Sequence, residues 1–317
     1  MHAEIFAYRV SIGFEVMIMN NFCSRFLVGV SLCISFASYS FASNGSLTDV
    51  VKSFSGESKD VVLSSGSTAT FDQPSCEAEA AVLLIHGWVG QKDELGDLYK
   101  TLARQLRVNC IASLRFDVQG ESERESSNFT LTSTFKSRME DTESALYYLQ
   151  QQYPSLPKVV VGFSLGGATA MELVSRHPET FKGLVLWSSA LNPNEIVTLP
   201  KSYSAVREAI DEGQSLLKET WADITLTRQH VIGMLGYNPI RNLGEFKGHL
   251  LAIRGSDDYL PAHEKEIFEA SAAVSEDVYY LGGADHIFNV YEPEKSQKDK
   301  VLNITVDWIT ALSNITH

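Results

Sequence analysis

Positive charge is scarce in this 317-residue sequence, which has 26 lysines and arginines against 39 aspartates and glutamates and a formal net charge of −13. Nucleic acids and anionic membranes are bound by a clustered excess of basic residues, so this deficit argues against either partner. Cysteine is scarce as well, and no Cys or His residues stand at metal-ligand spacing, so no metal or other cofactor is expected. No repeat of solenoid length is visible. The 44% hydrophobic content instead fits one large α/β domain.

A hydrophobic run long enough to span a membrane is also missing. The most apolar stretch, residues 26–37, is diluted by serines and falls short of the roughly 20 residues of a spanning helix. It follows Arg25 and precedes small residues that end at Ala42, an order typical of a cleaved signal peptide.

We therefore interpret residues 1–42 as a signal peptide whose start is Met17 or Met19, and residues 43–317 as the mature domain. This interpretation predicts an exported protein, periplasmic or secreted, without stable membrane insertion after cleavage. Cleavage would leave two of the four cysteines, Cys76 and Cys110. Spacing alone leaves open whether they form a disulfide or stay as two buried thiols.

Short apolar runs alternate with helical patterns through the mature chain. The runs indicate buried parallel strands and cover residues 81–85, 110–116, 159–161, 184–187 and 250–253. Leu95, Leu98, Leu102 and Leu106 recur at helical spacing between the first two. This alternation predicts an α/β fold with a mostly parallel twisted sheet and helices on both faces.

One segment, residues 192–247, is too long for a simple crossover between two of these strands. Tyr203, Val206 and Ile210 recur at helical spacing, which predicts a small helical lid rather than a loose loop. We expect Tyr203, Trp221 and Tyr237 to line an acyl pocket, whereas an elaboration without a role in binding is the alternative.

A G-x-S-x-G pentapeptide at residues 162–166 directly follows the valines of one predicted strand and begins a predicted helix. In this context the serine occupies a sharp strand-to-helix turn and its hydroxyl projects above the sheet. Ser164 is therefore the candidate nucleophile.

A serine hydroxyl needs a base, and His286 stands in a glycine-bearing loop after a predicted strand. The acid that orients this histidine should lie at the end of the preceding strand, where two aspartates are adjacent. Counting back from Pro261 favours Asp257, and counting forward from Gly255 favours Asp258. We prefer Asp257 and keep Asp258 as the alternative.

Two backbone N–H groups are needed to stabilise an oxyanion. The N–H of Leu165, directly after the nucleophile, is the first. The N–H of Trp88, in the loop after an early strand, is the expected second donor. The nearby His86 is interpreted as a structural histidine and not as a catalytic one.

These motifs together resemble the α/β-hydrolase superfamily: the His86-Gly87-Trp88 loop, the turn from Arg115 to Ser122, the pentapeptide with Gly167, the aspartate loop and the segment Gly283-Ala284-Asp285-His286. The pattern is most similar to cinnamoyl/feruloyl-esterase-like and serine-aminopeptidase-like members, which implies a small-molecule acyl substrate, a carboxylic ester first. The turn after Asp117 is shorter than the family pattern, and the acid loop is compressed.

The predicted activity is ester hydrolysis through a Ser-His-Asp triad and an acyl-enzyme. Acyl-thioester or peptide cleavage uses the same groups and stays open as an alternative. A non-catalytic binding protein on a hydrolase fold is a remote third hypothesis, because no triad member is missing.

Overall fold

The computed structural model describes residues 56–121, 128–219 and 222–315. The signal peptide predicted at 1–42 lies outside these residues. Among the described helices, none is both long and apolar enough to traverse a lipid bilayer.

An eight-stranded sheet forms the centre of the fold, in the order β1-β2-β4-β3-β6-β7-β10-β11. Its strands are β1 (Glu57–Val62), β2 (Thr68–Gln73), β3 (Ala80–Ile85), β4 (Ile111–Phe116), β6 (Lys158–Phe163), β7 (Phe181–Trp187), β10 (His249–Gly255) and β11 (Ser275–Leu281). From β4 to β11 every neighbouring pair is parallel, and β2 joins β4 and β1 in antiparallel pairing. The predicted mostly parallel sheet is therefore confirmed.

Helices cover both faces of this sheet. They are α1 (Leu98–Val108), α2 (Phe135–Gln152), α3 (Leu165–Arg176), α7 (Glu264–Ala270) and α8 (Lys298–Ile315). Ala81, Leu83 and Ile85 of β3 pack into one core with α2 and α3, while the alternate residues of β3 pack into a second core with α1 and α8. Because successive strand side chains point to opposite faces, a strand covered on both sides must be apolar throughout.

The segment 192–247 contains a helix where Tyr203, Val206 and Ile210 predicted one, two further short helices, and a β hairpin that we did not predict. Its helices are α4 (Asn194–Val197), α5 (Tyr203–Glu212) and α6 (Arg228–Gly233), and its strands are β8 (Gln214–Lys218) and β9 (Asp223–Thr227). With β5 (Asn128–Leu131) these strands form a second sheet, in the order β5-β9-β8. Leu216 is exposed and Leu217 is buried, which is the alternation of a strand and not the spacing of a helix.

A disulfide joins Cys76, just before β3, to Cys110, just before β4. The structure thus selects the bonded form from the two that the sequence left open.

Candidate active site

Ser164 lies on the turn between β6 and α3, with φ 54° and ψ −119°, a conformation that an L-residue adopts only under constraint. A Cβ atom at Gly162 would collide with the carbonyl oxygen of Gly166, and one at Gly166 would collide with that of Ile85. The Ser164 N–H donates to the Trp187 carbonyl at 2.9 Å, which fixes the turn against β7. The glycines of the pentapeptide are therefore required by close backbone approach, as the motif predicts.

His286 brings its Nε2 atom to 3.0 Å from the Ser164 hydroxyl oxygen. The histidine follows β11, and its loop is held by the Asp285 carboxylate, which accepts from the N–H groups of Ile287 at 3.0 Å and Asn289 at 2.7 Å. The imidazole packs between aromatic rings, with centroids 5.2 Å away for Phe163 and 4.5 Å for Tyr259. The two residues singled out as nucleophile and base are thus within hydrogen-bonding reach of each other.

The carboxylate that meets His286 belongs to Asp258, whose Oδ1 lies 2.7 Å from Nδ1. The preferred assignment to Asp257 is corrected here in favour of the alternative. The Asp257 N–H bonds to the Ala284 carbonyl at 2.9 Å, but its exposed side chain accepts a hydrogen bond from Ser256 Oγ at 2.9 Å. The count forward from Gly255 is correct because residues 255–258 form a turn closed by the Asp258 N–H on the Gly255 carbonyl at 3.3 Å.

Buried charge surrounds Asp258. Its Oδ2 accepts from Nη1 of Arg254 at 2.6 Å, and its Oδ1 also accepts from the Leu260 N–H at 2.9 Å. Burial alone would raise the pKa of Asp258, but the hydrogen bond and charge of His286, the Leu260 N–H and the Arg254 guanidinium outweigh it and lower that pKa. The acid is therefore ionised at neutral pH and can hold the Nδ1–H of His286.

Arg254 connects this acid to the rest of the site. Its Nε donates to the buried Glu264, and its Nη2 donates to the Ser189 carbonyl at 2.6 Å. Neither Arg254 nor Glu264 was singled out from the sequence, because an arginine at a strand end gives no signal that its side chain turns inward.

The loop carrying Trp88 passes beside the nucleophile. A Cβ atom placed on Gly87 would stand 3.4 Å from the Ser164 Cβ and 3.0 Å from the Phe163 ring, so a glycine lets the loop approach. Leu165 is the first residue of α3, where N–H groups have no acceptor within the helix. The structure therefore places Leu165 and the loop that carries Trp88 beside Ser164.

The peptide groups before and after the Gly87–Trp88 peptide are fixed by buried carboxylates. The Gly87 N–H donates to Glu94 at 2.8 Å, and the Val89 N–H donates to Glu121 at 3.3 Å. Arg138 pairs with the same Glu121 at 2.8 Å and donates to the His86 carbonyl. This buried pair was not singled out from the sequence, because Arg138 stands among other charged residues of α2 and Glu121 stands in a turn, so neither gives a local signal of burial.

His86 is fully buried and fills a structural position, in keeping with its interpretation. Its Nδ1 donates to the Gly87 carbonyl at 2.7 Å and its Nε2 accepts from the Val118 N–H at 3.0 Å. Burial, with the Arg138 charge, lowers the pKa of His86 to about 4. The ring is neutral at pH 7 and holds its own loop.

Two of the three aromatic residues expected to line an acyl pocket belong to the described part of the chain, and each has different surroundings. Tyr203 is largely exposed on α5, and the Tyr237 ring packs 4.6 Å from that of Phe135 on α2. Trp221 lies outside the described residues. Tyr259, beside the acid, borders His286 instead, and Lys201 of the insertion stands 5.7 Å above its ring. No group of three or more potential metal ligands occurs in the described part of the chain.

The sequence of this chain matches a protein-family model and a curated relative. The model of a family described as serine aminopeptidase, S33, matches residues 76–239. Monoglyceride lipase of Homo sapiens is 28% identical over 128 residues, which span 40% of this chain and 41% of that enzyme.

Solved structures share the fold over most of both chains. Est1E from Butyrivibrio proteoclasticus with bound ferulic acid has a TM-score of 0.63 and 14% identity, covering 80% of this chain and 98% of its own. The monoacylglycerol lipase of Paleococcus ferrophilus has a TM-score of 0.54 and 17% identity, covering 78% and 99%. The predicted α/β-hydrolase fold is thereby confirmed.

Proposed function

Since this chain belongs to the serine aminopeptidase S33 family, we propose that it is a serine hydrolase that cleaves carboxylic esters through an acyl-enzyme on Ser164. The observation that carries the proposal is the continuous chain of hydrogen bonds from Ser164 Oγ through His286 to Asp258, at 3.0 Å and 2.7 Å.

In the first half-reaction His286 Nε2 takes the Ser164 proton while Oγ attacks the acyl carbonyl carbon. Asp258 stabilises the imidazolium, which then donates that proton to the leaving alcohol as the C–O bond breaks. Water, deprotonated by the same nitrogen, attacks the acyl-enzyme, releases the acid and restores the serine. The sequence of steps balances without a metal or an organic cofactor.

The N–H groups of Trp88 and Leu165 would stabilise the oxyanion of both tetrahedral intermediates. Each such donor contributes about 10²–10³ in kcat in enzymes of this type. Fixation of the Gly87 and Val89 peptide groups by Glu94 and Glu121 supports this role for the peptide between them.

The leaving alcohol must lie next to His286 Nε2 to receive its proton. Tyr259, whose ring contacts the imidazole and is largely exposed, supports a subsite for that alcohol on this side of the serine.

Carboxylic esters are placed first because Est1E and the two lipases share the fold or part of the sequence. Peptide cleavage is the second candidate, favoured by the description of the matching family. We also propose that the protein is exported, supported by the signal-like pattern of residues 1–42 and by the Cys76–Cys110 disulfide, since disulfides persist in oxidising compartments.

The test uses the whole protein and three sets of substrates: p-nitrophenyl esters, acyl-thioesters and aminoacyl anilides. We expect the highest kcat/KM on esters, and loss of turnover and of fluorophosphonate labelling in Ser164→Ala. Ser175→Ala is the matched control, because this serine lies on the same helix and its hydroxyl donates to the Pro239 carbonyl at 3.1 Å. Labelling of a folded Ser164→Ala protein would refute the nucleophile, and a preference for anilides would favour the peptidase.

A further inference from the structure

A histidine of the 192–247 segment is bonded to the residue that carries the second oxyanion N–H. The indole N–H of Trp88 donates to Nε2 of His230 at 3.0 Å. His230 belongs to α6 and is fully buried. It was not singled out from the sequence, and the proposed catalytic steps do not use it.

The other ring nitrogen of His230 fixes which nitrogen carries the proton. Nδ1 lies 2.8 Å from the Ser133 carbonyl, which can only accept, so Nδ1 is the donor. In the neutral ring Nε2 then has a free lone pair, as the Trp88 indole requires. Burial lowers the pKa of His230, which favours this neutral form.

The helix that carries His230 is itself docked on the body of the protein. Three consecutive carbonyls, from the last residue of β5 onward, accept side-chain hydrogen bonds from this helix and its N-cap residue: Leu131 from Thr227 at 2.6 Å, Thr132 from Gln229 at 2.9 Å and Ser133 from His230 at 2.8 Å. Residues 131–133 lead directly into α2, which carries Arg138. This end of the segment is therefore held by hydrogen bonds to the chain that runs from β5 to α2.

Ser133, which accepts from His230, is also bonded to the buried Arg138–Glu121 ion pair next to the oxyanion loop. Ser133 Oγ donates to Glu121 at 2.8 Å, and Glu121 holds both Arg138 and the Val89 N–H. Trp88 is thus restrained through its side chain by His230 and through the next peptide group by Glu121.

We propose that His230 is a positioning residue that orients the Trp88 peptide so that its N–H points to the oxyanion of the substrate. This proposal rests on the proposed function, because it assumes an oxyanion at the Ser164 turn. It assigns to the 192–247 segment a part in the chemical step through this one hydrogen bond.

Two substitutions of His230 separate the hydrogen bond from the packing. In His230→Asn the amide nitrogen can replace Nδ1 and keep the bond to Ser133, but the acceptor for Trp88 is lost. In His230→Gln the longer amide can supply that acceptor at the position of Nε2. Trp88→Phe removes the indole donor and keeps an aromatic ring. Ile232→Ala, at a residue on the same helix that is 51% exposed, is the matched control.

We expect His230→Asn and Trp88→Phe to lower kcat on a small activated ester by about 10- to 100-fold, less than or equal to the loss of a whole oxyanion donor. KM should change little, and His230→Gln should recover most of the activity. The inhibition constant of a trifluoromethyl ketone, whose adduct with serine places an oxyanion in the same hole, should rise in parallel with the fall in kcat/KM. The double variant should be no worse than the poorer single variant, because both remove one bond.

The proposal is overturned if folded His230→Asn protein keeps its kcat and its ketone affinity. Additive effects of His230→Asn and Trp88→Phe on kcat in the double variant would overturn it as well. It is also overturned if His230→Gln is as poor as His230→Asn while the thermal unfolding temperatures of both match that of Ile232→Ala. Failure of the proposed serine-hydrolase mechanism gives a different result, since the unsubstituted protein would then neither bind the ketone nor be labelled at Ser164.

Discussion

Exchange of the triad acid for its amide tests the one site residue for which the structure corrects the prediction from the sequence. In Asp258→Asn the shape is kept, but the negative charge that stabilises the His286 imidazolium is lost. The new amide can also present an N–H to Nδ1 at the 2.7 Å contact, which favours the tautomer with the proton on Nε2, where it cannot accept from Ser164. The same exchange in a serine protease lowers kcat about 10⁴-fold, which corresponds to about 5 kcal/mol of transition-state stabilisation.

Asp257→Asn is the matched control at the neighbouring position. The Asp257 side chain is exposed and accepts from Ser256 Oγ, and its backbone bond to Ala284 does not depend on the side chain. We expect its kcat to stay within about twofold of the unsubstituted protein, as for surface substitutions generally. Steady-state kcat on one p-nitrophenyl ester measures both variants, and circular dichroism confirms that each is folded. An equal loss in the two variants, or a larger loss in Asp257→Asn, would refute the assignment of the acid to Asp258.

Two further predictions concern His86 and Tyr259. The pKa of His86 is about 4 in the folded protein and about 6.5 unfolded, so only the unfolded state binds this proton as pH falls from 6.5 to 4. This histidine should therefore lower the free energy of unfolding by up to about 1.4 kcal/mol per pH unit across that window. Urea unfolding at pH 7, 6 and 5 should show a shallower loss in His86→Gln, and parallel pH profiles would contradict the prediction. Tyr259→Ala should reduce kcat/KM severalfold for esters of large alcohols and little for methyl esters of the same acid. Tyr147→Ala is its control, since both tyrosines are 58% exposed, and an equal effect of Tyr259→Ala on all alcohols would remove the subsite.

The nucleophile and base could be found from the sequence because short-range patterns define them. Ser164 is recognised by glycines that the local backbone itself requires, and His286 by a glycine-bearing loop after a strand. The acid could not be fixed in this way. Asp257 and Asp258 differ by one residue, and the choice depends on a turn that closes on Gly255 and on a cross-loop bond to Ala284.

The second sheet and the buried polar residues also required the structure. The apolar character of Leu216 and Leu217 alone does not decide between helix and strand, but β8 is a strand because it pairs with β9 in a hairpin, and β9 pairs in turn with β5, far earlier in the chain. His230 carries no local signal of its role, because Trp88 is 142 residues away in sequence. Side chains whose partners are this distant cannot be paired from one sequence.

Two buried arginines stand behind the two halves of the candidate site. Arg138 fixes the oxyanion loop by its bonds to the His86 carbonyl and to Glu121. Arg254 fixes the triad acid, Asp258, by a direct ion pair. A buried ion pair gives little net stability, because desolvation offsets the attraction between the charges. Such a pair contributes more to the geometry of a site than to its stability, since the arginine guanidinium is planar and its donors point in fixed directions. Arg254 uses that fork to bond Asp258 on one side and the Ser189 carbonyl on the other, and the next residue, Ala190, donates its N–H to the Ser164 carbonyl at 3.1 Å. Arg254 and this backbone bond therefore link acid and nucleophile in addition to the pairing of β7 with β10, which gives the costly buried charge a part in the geometry of the site.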